Sequence, residues 1–183
     1  MYRYWTLILI ATLLAPQAFA ADATPKAVAA VDLDALRRDP GVLPAGVIVG
    51  SGQPDAQALQ RFADAGFVAV IDLRGDDEDR GLDEPREVER LGMQYISLPI
   101  ASRDDISYPN AAALDRLLAG IDGPVLLHCG SGNRVGALTA LRASLYGASD
   151  DEALAAGKAA GLTSLQPVVE KRLGREVEPA PKK

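Results

Sequence analysis

The residues best suited to chemistry lie together at positions 128–134, which read HCGSGNR. Cys129 is the only cysteine of the chain and His128 its only histidine. A thiol attacks as its thiolate, and Gly130, Ser131, Gly132 and Asn133 form a small-residue turn whose amide N–H groups can converge on one spot and stabilise negative charge there. Arg134 closes the turn with a guanidinium that can hold a tetrahedral oxyanion through two parallel N–H bonds, a geometry lysine lacks. Together they describe a nucleophile beside an oxyanion cradle. A lone free cysteine at a strand end is commonly just a small buried hydrophobe, but that reading gives the Gly-Ser-Gly-Asn run and Arg134 no role. His128, at the end of an apolar run, reads as a support for Cys129 rather than as a base.

The elements needed to aim such a turn are adjacent to it. Residues 124–127 (PVLL), opened by Gly123-Pro124, predict a short buried strand, and residues 135–146 carry apolar side chains at helical spacing up to Gly147. Strand, glycine-bearing turn and helix put the row of amides at a helix N-terminus, where the dipole adds roughly half a positive charge. Elsewhere the patterns predict strands over 46–49, 67–73 and 93–99, a short helix over 32–38, and helices over 55–65, 85–91, 109–119 and 165–173, with a Ser149–Glu152 capping box opening one more. Strands alternate with helices and no internal repeat appears. The expected fold is α/β: a three-layer sandwich with a central, mostly parallel sheet, helices on both faces, and the cradle at the carboxyl end of a central strand.

Composition narrows the function. The 183 residues have a formal net charge of −6 and no Lys/Arg stripe, so a nucleic-acid partner is not expected. Residues 1–20 hold Arg3, an apolar run over 7–15 and Ala18-Phe19-Ala20 before Ala21, the pattern of a cleavable secretory signal, with an apolar stretch too short for a bilayer span. A secreted or periplasmic protein is expected, with no stable membrane insertion after cleavage and a net charge of −7, because one arginine and no acid are removed. With one cysteine it forms no internal disulfide. Residues 21–44 read as an Ala-rich linker and N-terminal extension, 45–175 as the catalytic domain and 176–183 as a disordered tail. Nothing in the pattern fixes an oligomeric state.

Four segments in register resemble the cysteine-dependent tyrosine and dual-specificity phosphatase superfamily, and most of all the phosphatase-like domain of beta-lactamase-hydrolase-like proteins. They are residues 51–54 (SGQP), 70–74 (VIDLR), 92–99 (GMQYISLP) and 128–136 (HCGSGNRVG). The resemblance implies a dual-specificity-phosphatase-like fold and a phosphocysteine intermediate. It assigns Cys129 as nucleophile, Arg134 and the turn 130–133 as phosphate holders, and Asp104 or Asp105 as the acid that protonates the leaving group. Two departures stand out. Four residues rather than five separate Cys129 from Arg134, as in rhodanese-type sulfurtransferases, and Val135 stands where a Ser or Thr is usual. Sulfur transfer through a Cys129 persulfide is therefore the alternative chemistry, and a module that only binds oxyanions or phospho-ligands is the third.

Three further residues flank the site. Asp72, inside an apolar strand, reads as a hydrogen-bond acceptor near the cradle, and Arg74 as a tie to a neighbouring loop. The acidic run 75–83 (GDDEDRGLD) reads as a solvated loop; its spacing fits no calcium loop, and neither metal nor cofactor is expected.

Overall fold

The computed structural model of the protein describes residues 25–38 and 48–174. Their elements run β1 (Val28–Ala30), α1 (Leu33–Arg38), β2 (Ile48–Ser51), α2 (Ala56–Asp64), β3 (Ala69–Asp72), α3 (Glu84–Arg90), β4 (Gln94–Ser97), α4 (Tyr108–Ala119), β5 (Val125–His128), α5 (Asn133–Leu145), α6 (Asp150–Ala159) and α7 (Gln166–Leu173). The strands form one sheet in the order β1-β2-β5-β3-β4, and every neighbouring pair is parallel. The expected three-layer α/β fold is therefore present.

Strand alternation divides the core in two. Ile48, Ile71, Val125 and Leu127 face α4 to α7 with Leu114, Leu138, Leu141 and Val169. On the other face, Val49, Val70 and Leu126 meet Leu36, Leu59, Phe62 and Val88 of the first three helices. Each such fully buried apolar side chain contributes roughly 1.5–3 kcal/mol. Local signals fix the helix starts: Asp55 accepts from the Ala58 amide at 2.8 Å, and Ser149 and Glu152 form the reciprocal capping box.

One sequence reading is corrected. Residues 28–30, read as linker, are β1, paired in register with β2 from Val28–Ile48 to Ala30–Gly50. Two of its three residues are alanines, which strands disfavour, and a single valine is a weak signal, so pairing with the neighbouring strand determines its conformation. The signal segment 1–20 and the tail 176–183 lie outside the described residues. Among the described residues no helix is long and apolar enough to cross a membrane.

Candidate active site

The sheet order places β5 between β2 and β3, and their carboxyl ends finish level: His128 lies in register with Ser51 on one side and Asp72 on the other. The chain leaves β5 there and enters α5 through the turn. Gly132, the N-cap of α5, has φ of +82°, a left-handed conformation that glycine adopts without strain. This bends the turn back so that the Gly132 N–H donates to Cys129 Sγ at 3.2 Å. Residues of the SGQP segment brace the turn: the Cys129 amide donates to Ser51 O at 3.4 Å, the Gln53 amide donates to Gly130 O at 3.3 Å, and Gly52 bridges Ser131. The thiol is thus held beneath the start of a helix, with Cys129 only 1% exposed.

Arg134 reaches over the same turn, half-buried. Its Nη1 and Nη2 engage both carboxylate oxygens of Glu78, the second at 2.7 Å, and Nη1 also donates to Ile100 O at 3.1 Å. Glu78 accepts in addition from Arg74 Nε at 3.1 Å and the Gly75 amide at 2.8 Å. The Arg134 hydrogen bonds, helped by those from Gly75 and Arg74, hold the Glu78 carboxyl down at about 2, and the same pairing raises Arg134 above the ordinary guanidinium range. With its Nη groups fixed by Glu78, the guanidinium is oriented beside Cys129, with which it also interacts, and its Nε edge can face an oxyanion bound there. Arg74 ties the acidic loop down as expected, through Glu78 and through Gln53 Oε1 at 2.5 Å.

Glu78 is the functional side chain that the sequence reading passed over. The acidic run is indeed exposed at Asp76, Asp77 and Asp79, but Glu78 turns inward. Nothing in the run distinguishes one acid from the next, except that only Glu78 has the longer side chain.

Behind the cradle lies a buried polar cluster. Asp72 accepts from the Arg74 amide at 2.8 Å, Arg80 Nε at 2.6 Å and Tyr95 Oη at 2.8 Å. His128 Nε2 approaches Glu84 Oε1 at 2.7 Å and Asp72 Oδ1 at 3.7 Å, all three residues being fully buried. Gln53 Nε2 donates to the other oxygen of Glu84 at 2.9 Å. Three metal-capable side chains therefore converge, but both oxygens of Asp72 are already engaged by donors and the Arg80 cation stands beside them, so the donor set does not suit a metal ion. The cluster instead packs His128 directly before Cys129. Glu84, the first residue of α3, lies one position before the helix expected over 85–91 and carries no role in the sequence pattern.

The remaining candidates separate. The Asn133 side chain donates to Ser164 Oγ at 2.7 Å and accepts from the Thr163 and Leu165 amides, so it fastens the segment after α6 and leaves only its backbone amide to the cradle. Val135 is fully buried and packs against Gly50 of β2, so its side chain belongs to the core. Asp105 accepts from the Ser102 amide at 2.8 Å and its hydroxyl at 2.9 Å, hydrogen bonds that hold its carboxyl below the usual range. Asp104 is 99% exposed at its side chain and lies 3.4 Å from Arg172. Neither lines the groove of about 360 Å³ that contains Ser131, Asn133 and Arg134. A larger cavity of about 580 Å³, between residues 25–28 and helices α5 and α6, includes no cradle residue.

A parallel sheet whose central strand ends in Cys, turn and Arg, with the Arg braced by a carboxylate, defines the class of cysteine-dependent phosphatase folds. Residues 45–146 match the family model "Beta-lactamase hydrolase-like protein, phosphatase-like domain", and the chain belongs to that family. A beta-lactamase hydrolase-like protein of Xylella fastidiosa is 35% identical over 116 residues, which cover 61% of this chain and 27% of that protein. This chain thus corresponds to about a quarter of the relative's length. Among solved structures, a candidate phosphatase of Neisseria meningitidis is similar with a TM-score of 0.58 at 25% identity, covering 69% of this chain and 89% of that one. TpbA of P. aeruginosa, crystallised with phosphotyrosine, has the same fold with a TM-score of 0.56 at 20% identity, covering 74% of this chain and 85% of that one.

Proposed function

We propose that the protein hydrolyses phosphate monoesters through a phosphocysteine intermediate. The observation that carries this reading is the cradle itself: a buried Cys129 Sγ takes a loop amide at 3.2 Å while the neighbouring Arg134, held by Glu78 through both Nη groups, sets its positive charge beside the thiol. Cys129 Sγ attacks phosphorus in line, and the bond from phosphorus to the ester oxygen breaks. The loop amides and Arg134 hold the non-bridging oxygens as charge develops on them. The leaving oxygen takes a proton from Asp104. Water then attacks the phosphocysteine, giving its proton back to Asp104 as the phosphorus–sulfur bond breaks and phosphate leaves. Asp104 is preferred to Asp105 because the Ser102 bonds engage Asp105 as an acceptor, whereas Asp104 has only the 3.4 Å contact to Arg172. Its delivery requires the exposed residues 101–104 to turn toward the groove while Ile106 stays anchored in the core.

Cys129→Ser should abolish aryl phosphate hydrolysis with the fold intact. Asp104→Asn should slow it by ~10²-fold, most for poor leaving groups, as loss of a general acid does, while Asp105→Asn should change it little. Turnover retained in Cys129→Ser refutes the mechanism, and full activity in Asp104→Asn refutes the acid.

A further inference from the structure

Two grooves meet beside the cradle and share one side chain. Arg103 lines the catalytic groove of about 360 Å³, and it also lines a second groove of about 350 Å³ with Asp104, Pro167, Val168, Lys171 and Arg172. Arginine and lysine side chains dominate this second groove in a chain whose net charge is −6. Arg74, Arg80, Arg134 and Arg142 are each paired with a carboxylate. Arg103 and Lys171 are exposed, and neither side chain has a hydrogen bond or ion pair with a described residue. Arg172 is already oriented, its Nε donating to Ile106 O at 2.9 Å. The one acid of the groove, Asp104, meets Arg172 at a long 3.4 Å, a contact that a phosphate oxygen would displace. Unpaired cations beside Arg134 repel one another until an anion arrives, so the charge pattern is complementary to a ligand rather than to the protein.

From this arrangement, and resting on the phosphatase reading, we infer that the second groove is a subsite for another anionic group of the substrate. The substrate class is then a phosphate monoester that carries a further phosphate or carboxylate, the scissile phosphate in the cradle and the second anion between Arg103 and Lys171. The apolar faces of Pro167 and Val168 would pack against the connecting atoms.

The test is calorimetric titration of Cys129→Ser protein with alkane-α,ω-diol bisphosphates of increasing length and with the matching monophosphates. An exposed ion pair contributes up to about fivefold, so two cations should favour the bisphosphate by roughly tenfold at the best length and less as salt is raised. Lys171→Glu, at an exposed position away from the cradle, should remove most of that preference with monophosphate affinity unchanged. Equal or undetectable binding of both classes at every length, or a preference that survives Lys171→Glu, overturns the subsite. Aryl phosphate turnover by the parent protein is measured alongside. Its absence would remove the phosphatase reading, whereas the binding comparison decides the groove by itself.

Discussion

Replacing Glu78 by Gln keeps the side-chain shape and removes the charge that fixes Arg134. The carboxylate accepts from Arg134, Arg74 and the Gly75 amide, and these partners hold its carboxyl at about 2 against an ordinary 4.5. At about 1.4 kcal/mol per tenfold in proton affinity, that difference is at most ~3 kcal/mol, and screening at a side chain 29% exposed reduces it to about 1–2 kcal/mol. Because folding lowers this proton affinity, the stabilisation is complete above pH 4.5 and is lost as pH falls through about 2. Parent protein should therefore lose stability between those limits more steeply than Glu78→Gln does. At pH 7 the variant should unfold about 3–8 °C lower. Its larger effect should be on the site. With the Nη edge of Arg134 released, the Nε edge is no longer pre-aimed, and loss of an oriented charged hydrogen bond corresponds to about 10–10²-fold in vanadate affinity and in kcat/KM for an aryl phosphate. Both are measured on purified protein, by inhibition and by initial rates. Unchanged affinity would show that Arg134 is positioned without Glu78. Tighter vanadate binding would show that Glu78 competes for the anion edge instead of bracing the opposite one.

Two further predictions follow from packing and from the N-terminal segment. A Cβ on Gly136, in the first turn of α5, would lie 2.1 Å from the Leu162 amide nitrogen and 2.6 Å from Gly157 O, both backbone atoms that cannot yield by rotation. Gly136→Ala should cost roughly 3 kcal/mol and lower the melting temperature by about 10 °C, whereas Gly120→Ala, which meets nothing closer than 3.6 Å, should melt like the parent; equal melting of the two variants would refute this packing argument. If the segment 1–20 is a cleaved signal, as we propose, mass spectrometry of protein from the native host should find the chain starting near Ala21, outside the cytoplasm; an intact Met1 refutes it.

What could be read from the sequence was local. The strand, turn and helix around Cys129 and Arg134 are set by contiguous residues: an apolar run, a glycine that bends the turn, a helical stripe. The capping box at Ser149 is equally self-contained. What could not be read depends on partners distant in the chain. Whether Glu78 or one of its acidic neighbours turns inward is decided by Arg134, 56 positions away. That Glu84 is fully buried depends on His128 and Gln53 reaching it across the carboxyl ends of the strands. The valine after Arg134 looked like a lost hydroxyl. In the structure it packs where Gly50 leaves room, which makes that position part of the core. The proposed nucleophile and anion-holding residues are thus encoded in one short segment, while the groups that orient them come from four others: the SGQP segment, the acidic loop, the start of α3 and the segment after α6. Substitutions in these supporting segments should therefore weaken anion binding even though none of them touches the thiol, and Glu78→Gln is the most direct trial of that division.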